Sequence, residues 1–345
     1  MIARLLTALL TGAILLVALG VVAALQAGRP GAALTVLALP VLVLLASFGL
    51  EAVLLLRFRS HDPTPRPSAA SLARALLGEL AAALPRFGWH QARAWAAEDA
   101  HLDAGRHAGR TGLLLVHGYF CNHGFWWAWK RRLRAQDRPF IAVTLEPAFG
   151  DIDRTAPILQ SAVERLVAAT GGPVVVVAHS MGGLALRSWW AAHPRAADAH
   201  VARAITIGTP HRGTELARLA HTRNGRQMKP DSPWLQALAA REPGTRRRRF
   251  TAFYGHCDNI VFPPARARWE GADNRHLAGV AHVDMADHPD VLAEVEAQLR
   301  QADTTGKGGP EGLPGEARQA TAGVQIRSDG TRSPASISGM TDTSR

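Results

Sequence analysis

Four consecutive β-branched residues, Val174 to Val177, run directly into Ala178-His179-Ser180-Met181-Gly182-Gly183. Valine is stiff at χ1 and suits a pleated strand. A strand that is apolar on both faces must be covered on both faces, which is the situation of a central strand in a parallel sheet. The small residues that follow permit a sharp turn, and Leu184 to Ala192 then reads as a helix. Short apolar runs recur at Leu113–Val116, Phe140–Val143, Ala204–Ile207 and Phe250–Tyr254, with a helical stretch at Thr155–Ala169. Strands alternating with helices predict βαβ units and an α/β domain with a mainly parallel, doubly wound sheet over residues 112–302.

The N-terminal segment follows different rules. Leu5 to Leu25 carries no charge, Gly28-Arg29-Pro30-Gly31 breaks the run, and Ala32 to Leu56 is apolar apart from Glu51. Each stretch has the roughly 20 residues a helix needs to cross a bilayer, and Pro40 is tolerable inside such a helix. Residues 1–59 are therefore expected to form two transmembrane helices, about 5–25 and 32–56. Arg4 precedes the first and Arg57, Arg59, Arg66 and Arg74 follow the second, against Arg29 alone in the connection. Positive charge near span ends sets orientation, so both ends are expected in the cytoplasm. Glu51 is costly in this position unless it reaches water or pairs with Arg57.

Residues 60–111 read as a Pro-rich linker, Ser60 to Ser68, and a helical lead-in, Ser71 to Leu84, ending at Pro85. Glu215 to Thr245 is a long connection of the kind that often forms a lid. From Asp303 to Arg345 the composition turns to Gly, Ser, Thr and Pro, which predicts a disordered tail. The formal net charge of +11 comes almost wholly from arginine and accompanies no nucleic-acid motif, so no nucleic-acid partner is expected. Two cysteines, Cys121 and Cys257, exclude a disulfide framework and are expected to be reduced.

Ser180 lies where a strand hands over to a helix, the setting of a nucleophile elbow, Gly-x-Ser-x-Gly. Ala178 replaces the first glycine and is the next smallest residue. Three further motifs join it: Leu115-Val116-His117-Gly118-Tyr119, Ile207-Gly208-Thr209-Pro210-His211-Arg212-Gly213-Thr214, and Gly255-His256-Cys257-Asp258-Asn259-Ile260-Val261. On these, the segment from Gly112 to Arg300 resembles the α/β-hydrolase superfamily, and within it bacterial triacylglycerol lipases and related esterases.

The resemblance implies an α/β-hydrolase fold and a catalytic triad. Ser180 is the candidate nucleophile and His282 its base. Asp258 is the acid that would hold the imidazole in the right tautomer. His288 rivals His282 but sits too close to the last helix. Glu215 and Asp284 rival Asp258, and Glu215 follows the wrong strand for the commoner arrangement. The oxyanion hole is expected from the backbone N–H groups of Met181 and Tyr119, with His117, Gly118, Ala178 and Gly182 shaping the supporting turns. His282, Asp284, Asp287 and His288 read as a solvated helix N-terminus, and neither metal nor cofactor is expected.

The activity implied is hydrolysis of a carboxylic ester, lipid-like or of medium chain, through an acyl-enzyme. Acyl transfer or thioester hydrolysis would use the same triad. A non-enzymatic membrane protein on a hydrolase scaffold is the alternative from another class, and the presence of every triad member argues against it. The expected location is the bacterial inner membrane, with the catalytic domain facing the cytoplasm.

Overall fold

The computed structural model describes residues 1–59 and 62–307. A seven-stranded sheet lies at its centre, in the order β1-β3-β2-β4-β5-β6-β7. The strands are β1 (Glu98–His101), β2 (Gly112–Val116), β3 (Phe140–Val143), β4 (Val174–His179), β5 (Val201–Ile207), β6 (Phe250–Gly255) and β7 (Asp273–Leu277). Only β1 is antiparallel, pairing with β3. The five strands expected from apolar runs are all present. The two at the edges, β1 (EDAH) and β7 (DNRHL), have no apolar run to betray them. Edge strands are half solvated and carry charge that blocks edge-to-edge pairing, so polarity there is the physical norm.

Period-two alternation splits the strand side chains between two cores. Leu114, Val116, Val174 and Val176 face Leu159, Val163 and Leu166 of α5 (Ala156–Thr170) and Leu184 and Trp189 of α6 (Met181–Ala192). Leu113, Leu115, Val175 and Val177 face Trp129 and Leu133 of α4 (Trp127–Ala135) and Val291, Val295 and Leu299 of the final helix, Pro289–Lys307. Both faces are thus covered, as the valine run requires. The final helix runs five residues into the stretch expected to be a disordered tail. Residues 308–345 of that stretch lie outside the described residues.

The N-terminal segment forms a helical hairpin, α1 (Ile2–Gln26) and α2 (Pro30–Arg57). The two helices pack so closely at Gly20 that a Cβ there would come within 2.9 Å of Val36 Cγ1. Most of the hairpin is bare apolar surface, with Leu16 at 72% and Leu34 at 69% exposure. Its ends nearest the domain are covered: Ile2 and Leu6 of α1 pack with Ala92 and Ala148, and Phe58, just beyond α2, stacks on Phe262 with ring centroids 6.0 Å apart.

The lead-in helix α3 spans Ala69–Pro85, with the Ser68 side chain accepting from Ser71 N–H at its start. The α-helix ends at Pro85, as expected. The chain continues through a wide turn, Arg86–His90, and a tight one, Gln91–Arg93.

Candidate active site

Ser180 occupies a left-handed conformation, φ 55° and ψ −130°, between β4 and α6. A non-glycine residue with positive φ is strained, and such strain collects at functional sites. Ser180 N–H donates to Ile207 C=O at 2.8 Å and Thr209 Oγ1 donates to Ser180 C=O at 2.9 Å, so β5 and its following loop hold the turn. A Cβ on Gly118 would lie 2.7 Å from Ser180 Cβ, and one on Gly182 would lie 2.5 Å from His117 C=O. Both positions demand glycine for close approach. Ala178, fully buried, lies one residue before the end of β4, opposite Thr206, so a methyl group is accommodated where glycine was the expected pattern.

His117 is fully buried and pushed down to about 4 by that burial. Its neutral ring donates from Nδ1 to Gly118 C=O at 2.8 Å and accepts at Nε2 from Leu145 N–H at 2.9 Å. The turn carrying Gly118 and Tyr119 is thereby fixed to the end of β3. The backbone N–H groups of Tyr119 and Met181 are not engaged with other described residues. Tyr119 Oη reaches Thr222 Oγ1 at 3.1 Å, so the side chain points toward the expected lid.

Asp258 follows β6. One carboxylate oxygen accepts from Ile260 N–H at 2.9 Å and Val261 N–H at 2.8 Å. The other accepts from His282 Nδ1 at 3.0 Å. His282 Nε2 is then the basic nitrogen. Burial alone would lower the His282 pKa, but the Asp258 carboxylate, by charge and by hydrogen bond, with help from Glu79 and Glu51, holds it above the usual histidine value. No hydrogen bond joins Ser180 Oγ to His282 among the described residues. The two nevertheless line one cavity of ≈ 350 Å³, together with Gly118, Tyr119 and His179. Such bonds are often long before substrate arrives.

Of the rivals, Glu215 and His288 have other partners, and the Asp284 carboxylate makes no bond to His282 among the described residues. Glu215 pairs with Arg218 and Arg266. His288 faces Asp290, and Asp287 pairs with Arg86 at 2.5 Å. His101, His107 and Asp137 come together. Arg106 and Arg110 already face the Asp137 carboxylate, an unwelcoming charge for a cation. Burial raises both thiols, Cys121 to about 12, so neither offers a ready thiolate.

Four supporting side chains were not singled out from the sequence for this role. His179 Nε2 donates to His282 C=O at 3.0 Å, and its ring stacks on Phe125. Burial and the neighbouring His282 hold its pKa well below the usual value, so it stays neutral. Asn259 Oδ1 accepts from His282 N–H at 3.1 Å, while its Nδ2 donates to Glu51 of α2 at 2.6 Å. Among the described residues Glu51 thus pairs with Asn259 and not with Arg57. Glu79 of α3 accepts from Val283 N–H at 2.8 Å and Asp284 N–H at 3.0 Å. Burial pushes Glu79 up to about 7. The signal was available: Glu51 and Glu79 are the only acidic residues in two otherwise apolar helices.

Within the expected lid, Leu216, Ala217 and Met228 join Ser180, Tyr119 and Pro210 around a second, smaller cavity of ≈ 110 Å³. Ser180 therefore stands between two cavities, one under the lid and one facing α2.

The fold and the placement of these motifs are those of the α/β-hydrolase class. Residues 113–299 match the model of the alpha/beta hydrolase family, and the chain belongs to that family. No curated protein matches the chain in sequence. Among solved structures, the mature Bacillus licheniformis lipase BlEst2 is similar at 17% identity and a TM-score of 0.51, over 59% of this chain and 97% of that one. Aspergillus fumigatus lipase B is 20% identical with a TM-score of 0.46, over 55% of this chain and 52% of that one. At 17% identity the likeness to the Bacillus lipase is one of fold.

Proposed function

We propose that the chain is a membrane-anchored serine hydrolase that cleaves carboxylic esters through an acyl-enzyme. Ser180 is the nucleophile, His282 the general base and Asp258 its orienting acid. The observation that carries this reading is the 3.0 Å Asp258–His282 bond, formed in the same cavity that exposes the strained Ser180. With Nδ1–H given to Asp258, Nε2 takes the Ser180 proton as Oγ attacks the ester carbonyl. The free N–H groups of Tyr119 and Met181 receive the oxyanion. His282 then returns its proton to the leaving alcohol, and water repeats the sequence to release the acid.

The anchor is the hairpin of residues 1–59. Its bare leucines and valines need a non-aqueous environment, and the contacts with the domain cover the ends joined to it. Arg57, Arg66 and Arg74 on the domain side favour the cytoplasmic face of the inner membrane. Arg59 is spoken for structurally, buried and donating to His256 C=O at 3.2 Å and Pro65 C=O at 2.6 Å. Residues 60–111 then serve as the lead-in, 112–302 as the catalytic domain and 215–245 as its lid. Lipid-like esters suit the tether and the apolar lining of the small cavity.

The test is p-nitrophenyl butyrate hydrolysis by the full chain in vesicles. Activity in the wild type that falls by about 10⁴-fold or more in Ser180→Ala is expected. Equal rates in the two proteins would contradict the assignment. Orientation is read separately: alkaline phosphatase fused after residue 307 should be silent and a fluorescent protein there bright.

A further inference from the structure

The cavity shared by Ser180 and His282 is not enclosed by the catalytic domain alone. Leu44, Ser47, Phe48 and Glu51 of α2 complete its lining. Their spacing, i, i+3, i+4 and i+7, is one face of one helix. The register of that face is fixed at its end by the Glu51–Asn259 hydrogen bond, 2.6 Å long, and then by the Phe58–Phe262 stack. Resting on the serine hydrolase reading, we infer that α2 is a wall of the substrate site and takes the longer apolar arm of an ester resident in the bilayer.

Length places that wall in the membrane. A helix rises 1.5 Å per residue, and the hydrocarbon core is about 30 Å thick, so about 20 residues cross it. Counted from Pro30, where α2 begins, the core ends near Leu50. Leu44 and Phe48 then lie at the depth of acyl chains, and Glu51 lies at the polar boundary, where its carboxylate meets Asn259. An acyl ester of the adjoining leaflet can enter the cavity beside α2 with its chain still among lipid chains. Only its ester group must reach the polar end, where Ser180 waits. The cavity under the lid, ≈ 110 Å³ against ≈ 350 Å³, is left for the shorter arm. The hairpin is therefore part of the binding site as well as the tether.

The experiment uses the full chain in phosphatidylcholine vesicles. Two substrate series are compared, p-nitrophenyl esters from acetate to palmitate and alkyl acetates of rising alcohol length. Phe48→Trp and Leu44→Trp fill the wall; Phe48→Ala opens it. A short-chain fluorophosphonate, quantified on Ser180, reports for each variant that the nucleophile is intact. In one of the two series, each filling variant is expected to lower the ratio of long-chain to short-chain kcat/KM by about tenfold, the cost of excluding two or so methylenes. The opening variant should move the optimum to longer chains. Variants that label at Ser180 yet share the wild-type chain-length profile in both series would overturn the inference and leave the serine reading standing. A wild type that hydrolyses esters without labelling at Ser180 would remove the serine reading, and the inference with it. A filling variant that fails to label has lost its fold, and the chain-length profile of the other filling variant then decides.

Discussion

The two halves of the candidate site are held in different ways. On the Ser180 side the backbone does the holding. A fully buried strand, a left-handed turn and two glycines pressed against neighbouring backbone set the geometry, all within a few residues of Ser180 or on adjoining strands. On the His282 side the loop is held by side chains from distant places. Glu51 acts through Asn259 from 208 residues away, and Glu79 reaches Val283 from 204 residues away. His179 and Trp129 add bonds to the carbonyls of His282 and Ala286. A backbone-built half is rigid as soon as the sheet forms. A side-chain-built half depends on the N-terminal helices docking, so the hairpin and the candidate site are mechanically joined.

The largest effect expected falls on the join itself. Asp258→Asn keeps the shape but presents the wrong hydrogen-bond partner to His282 Nδ1, and kcat for p-nitrophenyl butyrate should fall about 10⁴-fold. Next comes the Ser180 side. Gly118→Ala puts a methyl group 2.7 Å from Ser180 Cβ and displaces the oxyanion turn. A loss of about 10²-fold in kcat is expected, the scale of one missing oxyanion donor. A Gly118→Ala enzyme of near-wild-type kcat would break the claim that close backbone approach governs this half.

Glu79 sharpens the contrast through stability. Glu79→Ala leaves the N–H groups of Val283 and Asp284 without their acceptor and should cost on the order of 1–3 kcal/mol in thermal or urea unfolding. The pH dependence has a definite sign. The folded pKa of Glu79 is raised from 4.5 to about 7, so the native state holds a proton that the unfolded state releases. Stability therefore falls as pH rises from 4.5 to 7, by up to about 3 kcal/mol from this group. His282, also raised, contributes stability that is fully present below its unfolded value of 6.5 and is lost as pH rises through its folded value. Glu79→Gln should flatten the stability profile across this window. It also removes a negative charge beside His282, so the acid limb of kcat/KM should move to lower pH. A limb that stays in place would detach Glu79 from the base.

The smallest effect belongs to Glu51. In Glu51→Ala, Asn259 loses its anchor on α2, and kcat is expected to fall several-fold, within the range of one buried hydrogen bond. Glu51→Gln retains an acceptor for Asn259 Nδ2 and should restore most of the rate. Equal losses in both variants would assign Glu51 a charge role instead of a positioning one.

The same contrast explains what was legible in the sequence alone. The strands β2 to β6 announce themselves as apolar runs, and the Ser180 turn is local, so spacing alone located it. The edge strands β1 and β7 carry polar residues because one side meets solvent, and no periodicity exposed them. The supports of His282 are tertiary contacts across about 200 residues. Only the oddity of a lone carboxylate in an apolar helix hints at them. Pro85 ends the lead-in α-helix as its missing N–H leads one to expect, and a widened turn follows it.

The most direct test of Ser180 as the nucleophile is covalent. The full chain in vesicles is treated with a fluorophosphonate, digested and analysed by mass spectrometry. A single adduct on Ser180 is expected, formed faster as pH rises through the raised His282 value, slowed in Asp258→Asn and absent from a folded Ser180→Ala protein. An adduct on another residue, or none on a wild type that hydrolyses esters, would contradict that assignment.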